Sequence, residues 1–224
     1  PEELTMPMLS SYPGYEKTNR KVPIGLDTDT LQTYYLSMEQ TPAFVIGNAK
    51  TGKTNVIKNM LSMVSGEKVY LFDNKSHELA AYQSRENVVY ASDKSTVADA
   101  LKQIKEDIFA RKEDYEEAKL DDVSLSIESF AKTLPPIYVM VDMLQELYDN
   151  VAEDNSMIDI LEEAVRYGIY VLVTSEFKVK KMTRSKFIEM LLASREVLIL
   201  GNIKDQLLFS YTGVREENRK VEFG

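Results

Sequence analysis

Short apolar runs alternate along the chain with segments whose apolar residues recur at every third or fourth position. Ala43–Ile46 is a run of the first kind and ends at Gly47. From about Lys53 to Val64, the residues Val56, Ile57, Met60, Leu61 and Val64 share one helical face, and Gly66 supplies a stop. Val69–Phe72 reads as the next strand, closed by Asp73, and a short helical stretch over His77–Gln83 leads to a strand at Val88–Tyr90. Ser95–Lys119 carries Val97, Leu101, Ile104 and Ile108 at helical spacing, then a charged tail suited to solvent. Ile137–Val141, after Pro135 and Pro136, is uninterrupted in apolar character, as a strand covered on both faces requires. Met157–Arg166 predicts a helix closed by Gly168, followed by a strand at Ile169–Val173, a helix at Phe187–Leu192 and a strand at Val197–Leu200. Strands alternating with helices imply right-handed crossovers and a mostly parallel sheet, hence a three-layer α/β fold. Met60 and Met157, at helical spacing, belong to its core.

Residues 1–40 contain Pro7, Pro13, Gly14 and Pro23 among polar positions and read as a lead-in or linker, with a single domain over 41–224. A length of 224 residues leaves room for one sizeable core. A chain that opens at Pro1 without an initiator methionine is expected to be a piece of a longer, multidomain polypeptide. With 44% hydrophobic and 28% charged residues, the composition is that of a soluble globular domain. No stretch approaches the roughly 20 apolar residues of a membrane helix, and no signal-peptide pattern is present. The absence of cysteine excludes disulfides and thiolate metal sites and fits a cytosolic compartment. A net charge of -9 argues against a domain that grips nucleic-acid backbones. Lys178, Lys180, Lys181, Arg184 and Lys186 form a basic cluster that reads as a solvated face.

The candidate chemistry lies on Gly47-Asn48-Ala49-Lys50-Thr51-Gly52-Lys53-Thr54, which satisfies G-x-x-x-x-G-K-T between a predicted strand and a predicted helix. Phosphates need many donors converging on a small volume, and a glycine-containing loop ahead of a helix N-terminus supplies them from the backbone. Lys53 is placed to reach the β- and γ-phosphates of ATP, and the Thr54 hydroxyl to take a Mg²⁺ position; Asn55 follows on the same turn. The second Mg²⁺ element is expected as an acidic residue ending a later buried strand, and Asp142 after Ile137–Val141 fits. Many hydrolytic P-loop proteins of the additional-strand class carry glutamate next; here it is Met143, whose thioether cannot accept a proton. Glu146 and Glu176 are candidates for that role, or plain solvated carboxylates. Thr174 is a candidate γ-phosphate sensor, or an ordinary strand-end threonine. Asp73 reads as a turn former more readily than as a ligand contact. His77, the sole histidine, has no metal-ligating partners at useful spacing and reads as surface.

The order of these motifs resembles the FtsK/SpoIIIE family. The likeness is carried by Val22-Pro23-Ile24-Gly25-Leu26-Asp27, the P-loop with Thr54-Asn55, Leu71-Phe72-Asp73, the segment from Asp142 to Leu147, and Arg166-Tyr167-Gly168-Ile169. Within that family the chain is most similar to the tandem ATPase domains of the type VII secretion proteins EssC and EccC. Its opening Pro1-Glu2-Glu3-Leu4 and closing Leu200-Gly201-Asn202-Ile203-Lys204-Asp205-Gln206 look like their C-terminal domain. The resemblance implies a RecA/FtsK-like fold and a cytoplasmic domain of a cell-membrane-anchored parent that helps export small helical WXG-type proteins. Sister ATPase domains of the same chain are implied as partners, and a hexamer as an assembly. Asp142-Met143 in place of Asp-Glu implies weak or absent hydrolysis. The alternatives are a DNA-translocating motor of the wider family and a scaffold independent of nucleotide.

Overall fold

Parallel strands covered on both faces need apolar side chains at successive positions, because each alternate residue enters a different core. The structure, a computed structural model, describes residues 9–18, 20–27, 29–151, 156–177, 185–194 and 197–209. Its elements run β1 (Lys21–Leu26), β2 (Thr33–Ser37), β3 (Ala43–Gly47), α1 (Lys53–Met63), β4 (Lys68–Phe72), β5 (Val88–Ala91) and α2 (Lys94–Asp121). They continue with α3 (Ile127–Ala131), β6 (Ile137–Val141), α4 (Leu144–Asn150), α5 (Ser156–Arg166), β7 (Ile169–Ser175), α6 (Lys186–Leu192) and β8 (Val197–Leu200). Six strands form one parallel sheet in the order β5-β4-β6-β7-β3-β8. The strand β7 therefore stands between β3 and β6, the additional-strand arrangement of P-loop ATPases.

The two cores divide the strand residues by alternation. Phe44, Ile46, Tyr70, Phe72, Val139, Val141, Val171 and Val173 meet α2, α4, α5 and α6 on one face. Ala43, Val45, Val69, Leu71, Tyr138, Met140 and Leu172 meet α1 on the other. Polar ties fix the layers at particular points. Asp107 on α2 accepts from Lys68 Nζ at 2.8 Å and from the buried Tyr70 hydroxyl at 2.6 Å. Burial, then this carboxylate, pushes the Tyr70 phenol far up, so it remains a donor. Arg111, also buried, donates to the carbonyls of Tyr167, at 2.7 Å, and Pro135.

The fold agrees with the three-layer expectation and corrects it in detail. The stretch read as a lead-in holds an antiparallel hairpin, β1 with β2, whose Val22 and Leu36, with Met38 just beyond, are buried in the core beside α1. Pro23 and Gly25 concealed it: the register shifts between them, and such a bulge admits the residues that break a strand pattern. The helix expected over His77–Gln83 is a turn followed by a 3-10 helix, Ala80–Ser84. The five-residue α3 and seven-residue α4 were not anticipated. Most of the basic cluster (Lys178, Lys180, Lys181 and Arg184) and the opening Pro1–Leu4 lie outside the described residues.

Gly168 turns the chain from α5 into β7 with φ +71°, and a Cβ there would lie 2.9 Å from the Ala131 carbonyl oxygen. Both the left-handed backbone and the close approach demand glycine. Gly168→Ala should cost about 1–3 kcal/mol, a fall of roughly 3–10 °C in melting temperature, measurable by thermal denaturation followed by circular dichroism.

Candidate functional site

Parallel strands bring their carboxyl ends to one edge, and the sequence places its chemistry there. Phe72, Val141 and Val173 are paired in register across β4, β6 and β7, so Asp73, Asp142 and Thr174 emerge at one level. On the far side of β7, β3 ends at Gly47 and opens into the loop 48–52. Gly47 has no room for a side chain: a Cβ would lie 2.8 Å from the carbonyl oxygen of Leu200 on β8, and it would also meet Thr51 Oγ1. Left-handed backbone at Lys50 (φ 63°) and Gly52 (φ 95°) winds the loop onto the head of α1, whose N-cap provides no side-chain bond. Thr51 closes it internally by donating to Asn48 O at 3.0 Å. Asn48, Ala49 and Lys50 are exposed on its rim, and Asn55 is exposed on the first turn of α1.

Lys53 is buried, and its ammonium donates to the carbonyls of Gly47 (2.9 Å) and Asn48 (2.6 Å). Burial lowers its pKa, while the carboxylates of Glu176 and Asp142 oppose that shift. Thr54 Oγ1 donates to Asp142 Oδ2 at 2.9 Å, joining the loop helix to the acid strand across the one intervening strand, β7. Asp142, only 2% exposed, also accepts from Thr174 Oγ1 on Oδ1 at 2.8 Å and from Asn74 Nδ2 on Oδ2 at 2.7 Å. Burial raises its pKa; the Thr174 and Thr54 hydroxyls work against that, the Asp73 charge adds to it, and Asn74 again opposes it.

The remaining candidates occupy definite places. The Thr174 hydroxyl is fully buried and committed to Asp142, and it accepts the Met143 N–H at 2.9 Å; it is bonded within the acid segment. Glu146 Oε2 accepts the Lys75 N–H at 2.7 Å and so is tied to the loop after β4. Glu176 is exposed at the end of β7. Asp73 Oδ2 accepts from the Leu79 N–H (3.0 Å) and the Tyr90 hydroxyl (2.8 Å), which holds that loop, and burial with this bond pushes Tyr90 up to about 12. His77 is exposed, as expected of a surface residue, with its ring 3.2 Å from the Tyr90 hydroxyl. Asn74 was missed, because an asparagine after a strand-end aspartate reads as a turn.

The residues fit a nucleotide with Mg²⁺. The Thr54 hydroxyl hydrogen is directed to Asp142, which leaves its oxygen lone pairs for a cation, and Lys53 stands among loop carbonyls beside them. Among the described residues no group of three His, Cys, Asp or Glu side chains could hold a metal. Mg²⁺ bound beside a phosphate takes one or two protein oxygens, here those of Thr54 and Asp142, and fills its shell from phosphate and water. No helix of the described residues is long and apolar enough to cross a membrane.

No family model matches the chain. It is 23% identical over 233 residues to the ESX secretion system protein EccC of Geobacillus thermodenitrificans (strain NG80-2), covering 100% of this chain and 15% of that protein. It is 31% identical over 117 residues to the ESX secretion system protein YukB of Bacillus subtilis (strain 168), covering 50% of this chain and 8% of that protein. Among solved structures, the cytoplasmic domain of EssC superposes with a TM-score of 0.80 at 21% identity, over 100% of this chain and 44% of that one. EssC ATPases 2 and 3 from Geobacillus thermodenitrificans give 0.77 at 22%, over 99% and 41%. Thermomonospora curvata EccC ATPases 2 and 3, in complex with a signal sequence peptide, give 0.66 at 19%, over 98% and 40%. Fold and loop together define a P-loop ATPase domain of the additional-strand type. More particularly, the chain is similar to the ATPase domains of EssC and EccC, and it spans a small part of the curated proteins it resembles.

Thr174→Val keeps the shape of the side chain but strips partners from Asp142 Oδ1 and the Met143 N–H. It should cost about 1–3 kcal/mol in urea unfolding, whereas Thr174→Ser, which keeps the hydroxyl, should cost less than half as much.

Proposed function

We propose that this chain binds ATP and Mg²⁺ as one module of a type VII protein secretion ATPase, and that it is weak or inactive in hydrolysis. The observation that carries the reading is the 2.9 Å bond from Thr54 Oγ1 to Asp142, which closes the phosphate loop onto the acid strand. Bound Mg²⁺–ATP would bring a compact, metal-bridged anion whose presence or absence can be read as a signal. Thr54 and Asp142 would hold the metal, Lys53 and the loop amides the phosphates. Thr174 would keep Asp142 oriented. Hydrolysis needs a base beside the attacking water, and the position after Asp142 does not supply one. Met143 cannot accept a proton, and Glu146 already accepts a backbone N–H. Occupancy without turnover is the output of such a site.

Lys53→Ala and Thr54→Ala should each abolish ATP–Mg²⁺ binding by calorimetry while leaving the circular dichroism spectrum unchanged. Turnover by the unmodified chain should stay far under the median enzyme value of about 10 s⁻¹. Undiminished affinity in the Lys53 variant would favour a scaffold that keeps the loop only for packing.

The partners we propose are sister ATPase domains of one cytoplasmic, membrane-anchored polypeptide, its hexamer, and the helical tails of small WXG-type proteins. The similar structure solved in complex with a signal sequence peptide supports a peptide-binding role. So does a cleft of about 370 Å³ at the opposite edge of the sheet from the P-loop, with Ile127, Ala131, Val165 and Met190 as apolar walls and Arg20 and Glu39 at its rim. Apolar anchors at helical spacing suit such a cleft, and a net charge of -9 disfavours a phosphate chain. WXG-type C-terminal tails should bind the chain, with Ala131→Glu reducing affinity about tenfold or more, while duplex DNA should not bind at physiological salt. Tight, sequence-independent DNA binding without peptide binding would instead mark a translocase.

A further inference from the structure

Asn74 follows Asp73 directly at the end of β4 and is itself buried, at 7% exposure. Both ends of its amide are engaged. Oδ1 accepts the Ser76 N–H at 2.7 Å, which forms a local turn, and Nδ2 donates to Asp142 Oδ2 at 2.7 Å. The orientation is fixed by its partners: a flipped amide would set oxygen against the carboxylate and NH₂ against a backbone N–H. Oδ2 of Asp142 therefore takes two donors, Thr54 Oγ1 from the loop helix and Asn74 Nδ2 from β4. One donor leaves a carboxylate free to rotate about its bond; two on the same oxygen, with Thr174 on the other, fix its plane.

The chemical type of the third donor matters as much as its position. A lysine or arginine at Asn74 would also satisfy Asp142, but its charge would repel a cation. A neutral amide orients the carboxylate and leaves its negative charge available. The loop that Asn74 begins is also pinned to the acid segment a second time, through the Lys75 N–H to Glu146 at 2.7 Å, while Lys75, Ser76, His77 and Glu78 face solvent.

We propose that Asn74 is a positioning residue for the Mg²⁺ carboxylate: it holds Asp142 in line with the Thr54 hydroxyl and thereby links metal occupancy to the exposed loop 75–78. The proposal rests on the nucleotide-binding reading and names a residue and a route that this reading does not contain. Partners that orient metal-binding groups are worth about 10–100-fold in metal affinity in other sites.

The test compares ATP affinity of the full chain by calorimetry, in EDTA and in saturating Mg²⁺, with that of Asn74→Ala and Asn74→Ser. The serine hydroxyl can still accept the Ser76 N–H and keep the turn, but it is too short to reach Asp142. Both variants should lose about tenfold of the gain that Mg²⁺ brings and keep Mg²⁺-free affinity within about twofold. In an Asp142→Asn background, Asn74→Ser should change the gain no further, the mark of two groups acting through one contact. If Asn74→Ala does not fold, Asn74→Ser alone decides. An undiminished gain in folded Asn74→Ser overturns the proposal, and so does an equal loss with and without Mg²⁺, which would mark a merely structural residue. An unmodified chain that binds no ATP would remove the nucleotide reading and this proposal with it; one that binds ATP with a Mg²⁺ gain that Asn74→Ser retains removes this proposal alone.

Discussion

A carboxylate taken out of water must be given donors, and the way Asp142 obtains them organises one whole edge of the molecule. Its partners come from α1, from the end of β4 and from the end of β7, three segments far apart in sequence. They can converge only because β7 is inserted between β3 and β6 while β4 flanks β6 on the other side. Strand order is thus a precondition of the site as much as of the core. The two apolar clusters above and below the sheet hold the strands in register, and the register sets Asp73, Asp142 and Thr174 at one height.

The neighbouring backbone bears the strain of this arrangement. Met143 has φ 74° and ψ 89°, a conformation that costs a side-chain-bearing residue about 1–3 kcal/mol. It is held there from both sides. Its N–H is taken by Thr174, and its carbonyl accepts from Glu146 and Leu147 at the start of α4. The sharp turn sends the chain from β6 straight into α4, where Leu144 and Leu147 are buried. Burial of those leucines and the hydrogen bonds at Met143 offset the strain, so the geometry beside Asp142 survives with methionine at that position.

What the sequence made legible was whatever local pattern decides. Central strands were visible because burial on both faces forces continuous apolar runs, and the loop Gly47–Thr54 because its chemistry needs contiguous residues. Asp142 followed from the same logic, as an acid closing such a run. Contacts between distant segments were not legible. Nothing local distinguishes Asn74 from a turn asparagine, or shows that Glu146 is bonded to the Lys75 amide rather than solvated. The orientation of Thr174 depended on β6 and β7 being neighbours. The hairpin β1–β2 escaped for the opposite reason, since Pro23 and Gly25 carry strong local signals against a strand and the tertiary burial of Val22 and Leu36 overrides them.

The hairpin also bears on how the site is supported. On one face of the sheet four helices share the cover, whereas on the other α1 relies on the hairpin at its side. The helix that begins with Lys53 and Thr54 is thus wedged between the sheet and residues that precede the P-loop in sequence. Val22, Leu36 and Met38 pack into the same cluster as Val56, Ile57, Met60 and Leu61, so a displacement of the hairpin would reach the phosphate loop through the axis of α1. Packed cores transmit such shifts because they lack the free volume to absorb them. The segment that read as a mere lead-in is therefore a wall of the P-loop helix's foundation, and a chain trimmed to begin at Ala43 would present its P-loop on a helix with one side uncovered.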